Sequence, residues 1–207
     1  MAESALKLKK ELSGIIYIIV TSVLLLVVLV WCDQFFYRIF SSNFFLTWHI
    51  FLELSSIVMS FAVFAVTFYT FEESNRLRSV VIACTFLAVS LLDLFHTLSY
   101  KGMPVFLTES SVEKATAFWI LGRLTMSCGM LASSLVPWDR KVKSREELWV
   151  LATIAGSIFL LLVVTYRIDH LPRLFIEGKG LTPLKVYLEY LTIFIQLATA
   201  VVFFAAY

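Results

Sequence analysis

SVVIACTFLAVSLLDLFHTLSYKGMP, residues 79–104, starts as grease and finishes as a turn. Its first part, 79–99, has the length of about 20 apolar residues that a helix needs to cross a hydrocarbon core. Gly102 can then adopt a positive φ and Pro104 cannot continue a helix, so the chain stops and turns. Within the apolar part sit Asp93 and His96, three residues apart and therefore on one helical face. A charge at the centre of a membrane helix costs roughly 2.5–3.5 kcal/mol on insertion scales, so such groups usually face a bundle interior and pair there. The stretch predicts a membrane helix with a polar stripe turned inward.

The rest of the chain repeats the apolar theme. Of its 207 residues, 60% are hydrophobic and 15% charged, with a mean hydropathy of +0.88. Soluble domains run about 45–50% apolar and about 25% charged. Apolar runs of spanning length fall at 13–31, 46–70, 79–99, 115–135, 147–166 and 184–207. They are separated by polar or turn-rich links such as FEESNRLR, PWDRKVKSREE and RIDHLPRLFIEGKGLTP. The expected fold is all-α, a polytopic integral membrane bundle of about six helices forming one domain over 1–207. The first run leads into WCDQFFYR and not into a small-residue cleavage site, so it reads as a retained span and not as a signal peptide. Arg123 interrupts the fourth run, which makes that span the weakest.

Orientation follows from Lys and Arg in the links. With the N-terminus cytoplasmic, Lys7, Lys9, Lys10, Arg76, Arg78, Arg140, Lys141, Lys143 and Arg145 lie inside. Arg38, Lys101, Lys114, Arg167, Arg173, Lys179 and Lys185 lie outside, and the densest cluster, DRKVKSR, is on the inner side. Trp31, Trp48 and Tyr100 then mark the outer interface, and Tyr69 and Trp149 the inner one. A net charge of +2 with no basic stripe argues against nucleic acid as a partner. Cys32, Cys84 and Cys128 show no ligand spacing and predict no disulfide.

On this topology the ionisable residues gather at one depth. His49 and Glu53 share a face of the second span at i, i+4, as Asp93 and His96 share one of the third at i, i+3. In both the imidazole is outermost and the carboxylate one turn deeper. Arg123 of the fourth span and Glu189 of the sixth enter the same outer-leaflet layer. Glu53, Asp93 and Glu189 against one arginine leave the layer short of positive charge. Arg123 is expected to hold one carboxylate through bidentate hydrogen bonds. A protonated histidine, a raised carboxylate pKa, a bound metal or a bound cation would fill the remaining deficit. His49, Glu53, Asp93 and His96 are the candidate metal ligands, a set suited to zinc, iron or manganese. The plain alternative is an interhelical hydrogen-bonding histidine and a buried ion pair that fixes register. His170, beside Asp169 in a link, reads as a solvated residue. Met103 and Phe106 are candidates to line a lid over the layer. No Walker loop, HExxH, nucleophile elbow or dinucleotide fingerprint is present, so the chain itself is not expected to be an enzyme.

Three stretches carry a resemblance: HIFLELSSIV at 49–58, LLDLFHTLSYKGMPVF at 91–106 and AFWILGR at 117–123. Together they resemble the type-three member of the MASE class of bacterial membrane-associated sensor domains. The DxxHTLxYKGM stretch is intact as Asp93, His96, Thr97, Leu98, Tyr100, Lys101, Gly102 and Met103. HxxxE (His49, Glu53) and WxxxR (Trp119, Arg123) match as well, which adds Trp119 to the candidate ligand-binding residues. The resemblance implies a multi-pass input domain in the bacterial inner membrane, in contact with lipid and able to form a homodimer. It implies an output partner, a histidine kinase or diguanylate cyclase domain, following in the intact protein. Family members continue through a further helix, so the chain, ending in VVFFAAY, is expected to be the first part of such a module.

Two other classes fit the same residues. His49 and His96 at matched depth would serve as axial ligands of one haem in an electron-transferring b-type cytochrome. Glu53 and Asp93 beneath them would crowd the macrocycle. An ion-coupled transporter would use the acids as carriers, but no internal or inverted repeat is visible.

Overall fold

A computed structural model of the chain describes residues 2–32, 42–142 and 145–205. The helices are α1 (Ala2–Trp31), α2 (Ser42–Ser74), α3 (Leu77–Leu98), α4 (Val112–Leu135), α5 (Glu146–Arg167) and α6 (Pro183–Ala205). A short 3-10 turn, Ile168–His170, and a two-stranded hairpin, β1 (Phe175–Ile176) with β2 (Gly180–Leu181), connect α5 to α6. The helices α2 to α6 are long and apolar enough to cross a membrane. In α1 the apolar stretch among the described residues is shorter, Ile19–Trp31. The fold is all-α and built for a membrane. The fourth expected span is one uninterrupted helix despite Arg123.

The chain divides into two compact units, Met1–His49 and Ile50–Tyr207. In the first, α1 presents exposed Leu, Ile and Val side chains along its second half. The second unit holds the packed core. Its centre is the α3–α4 pair, with α5 against α3 and α6 against α4. Leu92 and Phe95 of α3 meet Ala117, Phe118 and Ile120 of α4 and Leu161 and Val164 of α5, under Leu174 of the α5–α6 link. Phe95 and Phe118 pack edge to face at 5.8 Å.

Close approach of α3 and α4 depends on two glycines seven residues apart on one face of α4. A methyl at Gly122 would stand 3.3 Å from Asp93 Oδ1, and one at Gly129 only 2.1 Å from Thr85 Oγ1. Ser127, fully buried, brings α6 in on another side through a 3.4 Å hydrogen bond to the carbonyl of Thr192. Small residues do here what bulky ones do in a water-soluble core.

The YKGMP turn forms as its residues predict. Gly102 has φ 103°, and Ser111 caps α4 by accepting from the Lys114 backbone N–H at 3.2 Å. Phe106 packs, partly buried, against the hydrophobic core. The turn is tied to the hairpin by Lys101, which donates to Glu177 at 2.7 Å. The pair is exposed: the carboxylate raises the Lys101 ammonium above its ordinary range, and the ammonium holds the Glu177 carboxyl below its own. At the other end of the unit, the α2–α3 and α4–α5 links exchange backbone hydrogen bonds, Leu77 to Arg140 and Val142 to Asn75.

Candidate functional site

Asp93 is 2% exposed, on the face of α3 that α2 and α4 enclose. Its Oδ2 accepts from the Ser56 hydroxyl of α2 at 3.3 Å, and its Oδ1 rests against Gly122 of α4. A β-carbon at 122 would press on that carboxylate, which would have to give by a few tenths of an ångström. One turn on, His96 is buried too, and its Nδ1 lies 2.7 Å from the carbonyl oxygen of Ala115 in the first turn of α4. A carbonyl only accepts, so Nδ1 carries a proton. That assignment turns Nε2 toward Glu53 of α2, whose Oε1 is 3.8 Å away. The contacts of α2 with α3 at this level are thus polar: Ser56 with Asp93 and Glu53 with His96.

Such an arrangement has a definite chemical capacity. Neutral His96 offers a lone pair at Nε2 beside a carboxylate, and protonated His96 forms an ion pair with it. A backbone carbonyl that fixes one ring nitrogen so the other can act is the usual second partner of a metal-bound or proton-handling histidine.

Trp119, Arg123 and Glu189 form a second group, between α4 and α6. The Arg123 guanidinium lies over the Trp119 ring at 5.2 Å from its centroid, and the Lys185 ammonium approaches the same ring at 4.7 Å. Glu189 accepts a hydrogen bond from buried Lys185, one turn before it on α6. Arg123 was expected to grip a carboxylate. Among the described residues it forms no ion pair within 4.0 Å, because Lys185 already engages Glu189 and Asp93 turns to Ser56 and Gly122. Asp93 nonetheless feels the Arg123 charge at longer range.

The expected layer therefore resolves into two clusters, one on α2 and α3 and one on α4 and α6. His49 closes the first unit as a half-buried ring stacked on Phe45 at 5.8 Å. His170 is exposed, as its loop position suggested. Four contributors were not foreseen: Ser56, Gly122, the Ala115 carbonyl and Lys185. Lys185 had a legible signal, since KVYLE is an i, i+4 Lys–Glu pair, but at the start of the span it was counted only among the outer-side charges.

A profile of the MASE3 membrane-associated sensor domain matches residues 40–207, which include every ionisable group of both clusters. No match was found among curated proteins or among solved structures. With the match running over most of its length and across five helices of membrane-spanning character, the chain belongs to the MASE3 family of membrane-associated sensor domains.

Proposed function

We propose that this sensor domain reads its stimulus at the α2–α3 cluster of Glu53, Asp93 and His96, through a bound divalent transition metal. The stimulus would be passed on as a change in helix packing to an output domain of a bacterial inner-membrane signalling protein. The observation that carries the reading is the pairing at His96. Ala115 holds Nδ1 at 2.7 Å, and Nε2 faces Glu53 Oε1 at 3.8 Å. Two ligands at about 2.0–2.2 Å from one ion stand about 3.4 Å apart in a tetrahedral site and farther apart at wider angles. A small shift of Glu53 would bring both atoms onto one ion. Imidazole with carboxylate suits zinc, manganese or iron.

The location suits signalling as well. The α2 helix meets α3 through polar pairs at this level, so what binds between them sets how firmly α2 is held. A stimulus that moves a helix-packing equilibrium from 1:99 to 99:1 must supply about 5.5 kcal/mol of differential binding. Ligation that draws Glu53 and His96 together is strong enough for that task. A haem at His96 is less well served, because Glu53 stands beside the nitrogen that iron would need.

The test is elemental and absorbance analysis of protein purified gently from membranes, with melting curves on adding zinc, manganese or iron. Near-stoichiometric metal, lost in Glu53→Gln and His96→Ala, is expected. His49→Ala belongs in the same series, because HxxxE spacing puts it one turn before Glu53. A colourless preparation without metal, whose melting none of the three ions shifts, would defeat the metal reading. A Soret band would favour the haem alternative.

A further inference from the structure

A cleft of about 470 Å³ opens between α4 and α6, lined by Trp119, Arg123, Glu189, Tyr190, Thr192 and Gln196 among others. Its charges do not cancel. Lys185 and Glu189 satisfy each other, whereas the Arg123 guanidinium, with five N–H donors, donates no hydrogen bond to any described residue and rests on the Trp119 ring. The net local charge is one positive, with Asp93 felt only at a distance.

The position is deep. Arg123 is eleven residues after the first residue of α4, about 16 Å along the helix at 1.5 Å per residue. A guanidinium at that depth with no described carboxylate in ion-pair contact is a costly arrangement that a bound anion would relieve. The way in is from the flank. Tyr190 and Ile193 on the rim are 64% and 51% exposed, and the neighbouring Phe194 and Leu197 of α6 present an apolar surface. A ligand entering there travels through the membrane and brings an apolar tail with it.

We infer that the α4–α6 cleft binds the oxyanion head of a membrane-dissolved amphiphile, with Arg123 as its counter-ion. The fork of Arg123 matches a carboxylate or a phosphate through two parallel hydrogen bonds. The side-chain amide of Gln196 and the Tyr190 hydroxyl are the further donors lining the cleft, and the tail lies along the apolar flank of α6. Trp119 holds the guanidinium over its ring. This site uses none of the metal-reading atoms at His96 and Glu53, so either assignment can fail without the other.

Brominated amphiphiles test it, because bromine quenches a nearby indole. Delipidated protein in nanodiscs is titrated with brominated oleate, brominated phosphatidylglycerol or brominated phosphatidylcholine. The Trp119 share of the quenching, taken as the difference between parent and Trp119→Phe, is expected to saturate with an anionic amphiphile and not with the zwitterionic lipid. Oleate alone acting assigns a carboxylate, phosphatidylglycerol alone a phosphate, and both acting a general oxyanion site. Arg123→Gln should weaken binding at least tenfold, and Arg123→Lys, which keeps charge but loses the fork, by less. Gln196→Leu, a change at the cleft wall, should weaken it several-fold and serves if Arg123→Gln does not fold. Equal quenching by all three lipids, or unchanged affinity in both Arg123→Gln and Gln196→Leu, would overturn the assignment.

Discussion

The ring of His96 bridges two helices, with Nδ1 2.7 Å from the Ala115 carbonyl of α4 and Nε2 3.8 Å from Glu53 of α2. One buried side chain on α3 thereby contacts both neighbours. Moving α2 changes what Nε2 faces, while Nδ1 keeps the ring anchored to the α3–α4 pair.

His96→Phe keeps an aromatic ring of similar size and deletes both polar contacts. It should lower stability in detergent by about 1–3 kcal/mol, the usual cost of a lost buried hydrogen bond with a partner left unsatisfied. The double variant His96→Phe with Glu53→Leu removes the stranded carboxylate as well and should recover part of that loss. Thermal melting of the two variants beside the parent checks this. If the double variant melts no higher than the single one, Glu53 and His96 are not coupled.

Gly129 sets the α3–α4 distance. A β-carbon there would lie 2.1 Å from Thr85 Oγ1 and 2.8 Å from Thr85 Cβ, and the Thr85 hydroxyl is itself engaged with the Val81 carbonyl at 2.7 Å. Gly129→Ala should therefore cost about 1–3 kcal/mol as overpacking. Adding Thr85→Ala removes the two nearest clashing atoms but not Cβ, so it should restore only part of the loss. The paired melting temperatures decide it.

The Lys101–Glu177 contact ties the YKGMP turn to the β1–β2 hairpin and is open to solvent. The Glu177 carboxyl is held below its ordinary range, so its contribution is present above the unfolded value and fades as pH falls through the lowered folded one. The Lys101 ammonium is raised, so its contribution is present below the unfolded value and fades as pH rises through the raised folded one. The tie should be complete across neutral pH and loosen at both extremes, and salt should weaken it throughout. Hydrogen exchange in the 175–181 hairpin against pH and salt reads this out. Glu177→Gln should flatten the acid limb.

Much of this fold was legible because membrane helices announce themselves by length. The expected spans 79–99 and 147–166 end within two residues of α3 and α5. Position along a helix was legible to within about a turn: Glu53 was matched in depth with Asp93, but it is His96 that faces Glu53, and Asp93 meets Ser56. Direction around a helix was not. Arg123 and Glu189 share a depth with that cluster, yet they turn into the α4–α6 side, where Lys185 answers Glu189. Hydropathy gives no azimuth to a helix that is apolar nearly all round. The cues that supply it are small residues such as Gly122, Gly129 and Ser127, whose meaning appears only when the partner helix is in place.

Arg78 binds the end of the bundle opposite the YKGMP turn. Its Nε donates to the Ser133 carbonyl at 2.9 Å and its Nη2 to the Ser134 carbonyl at 3.1 Å, so one guanidinium caps the last turn of α4. The same group lies over the rings of Trp138, at 5.1 Å, and of Phe203 in the last turn of α6, at 5.4 Å. Orphan carbonyls at a helix C-terminus attract cations, and a planar fork serves two of them where an ammonium serves one well. Arg78→Lys should therefore lose one of two charge-assisted bonds, roughly 1.5–3 kcal/mol when fully buried and less at this half-buried position. Arg78→Met keeps the packing stem but loses both bonds and the cation–π contacts, and should cost more. Faster hydrogen exchange at 133–138 and near Phe203 is expected in the order Met, Lys, parent. Arg123 and the Ala115 carbonyl lie well back from Ser133 on α4, so loosening its far end should leave metal or amphiphile binding near the parent value while releasing the end of α6. Parent-like exchange near Phe203 in Arg78→Met would show that the two helix ends are held together by something else.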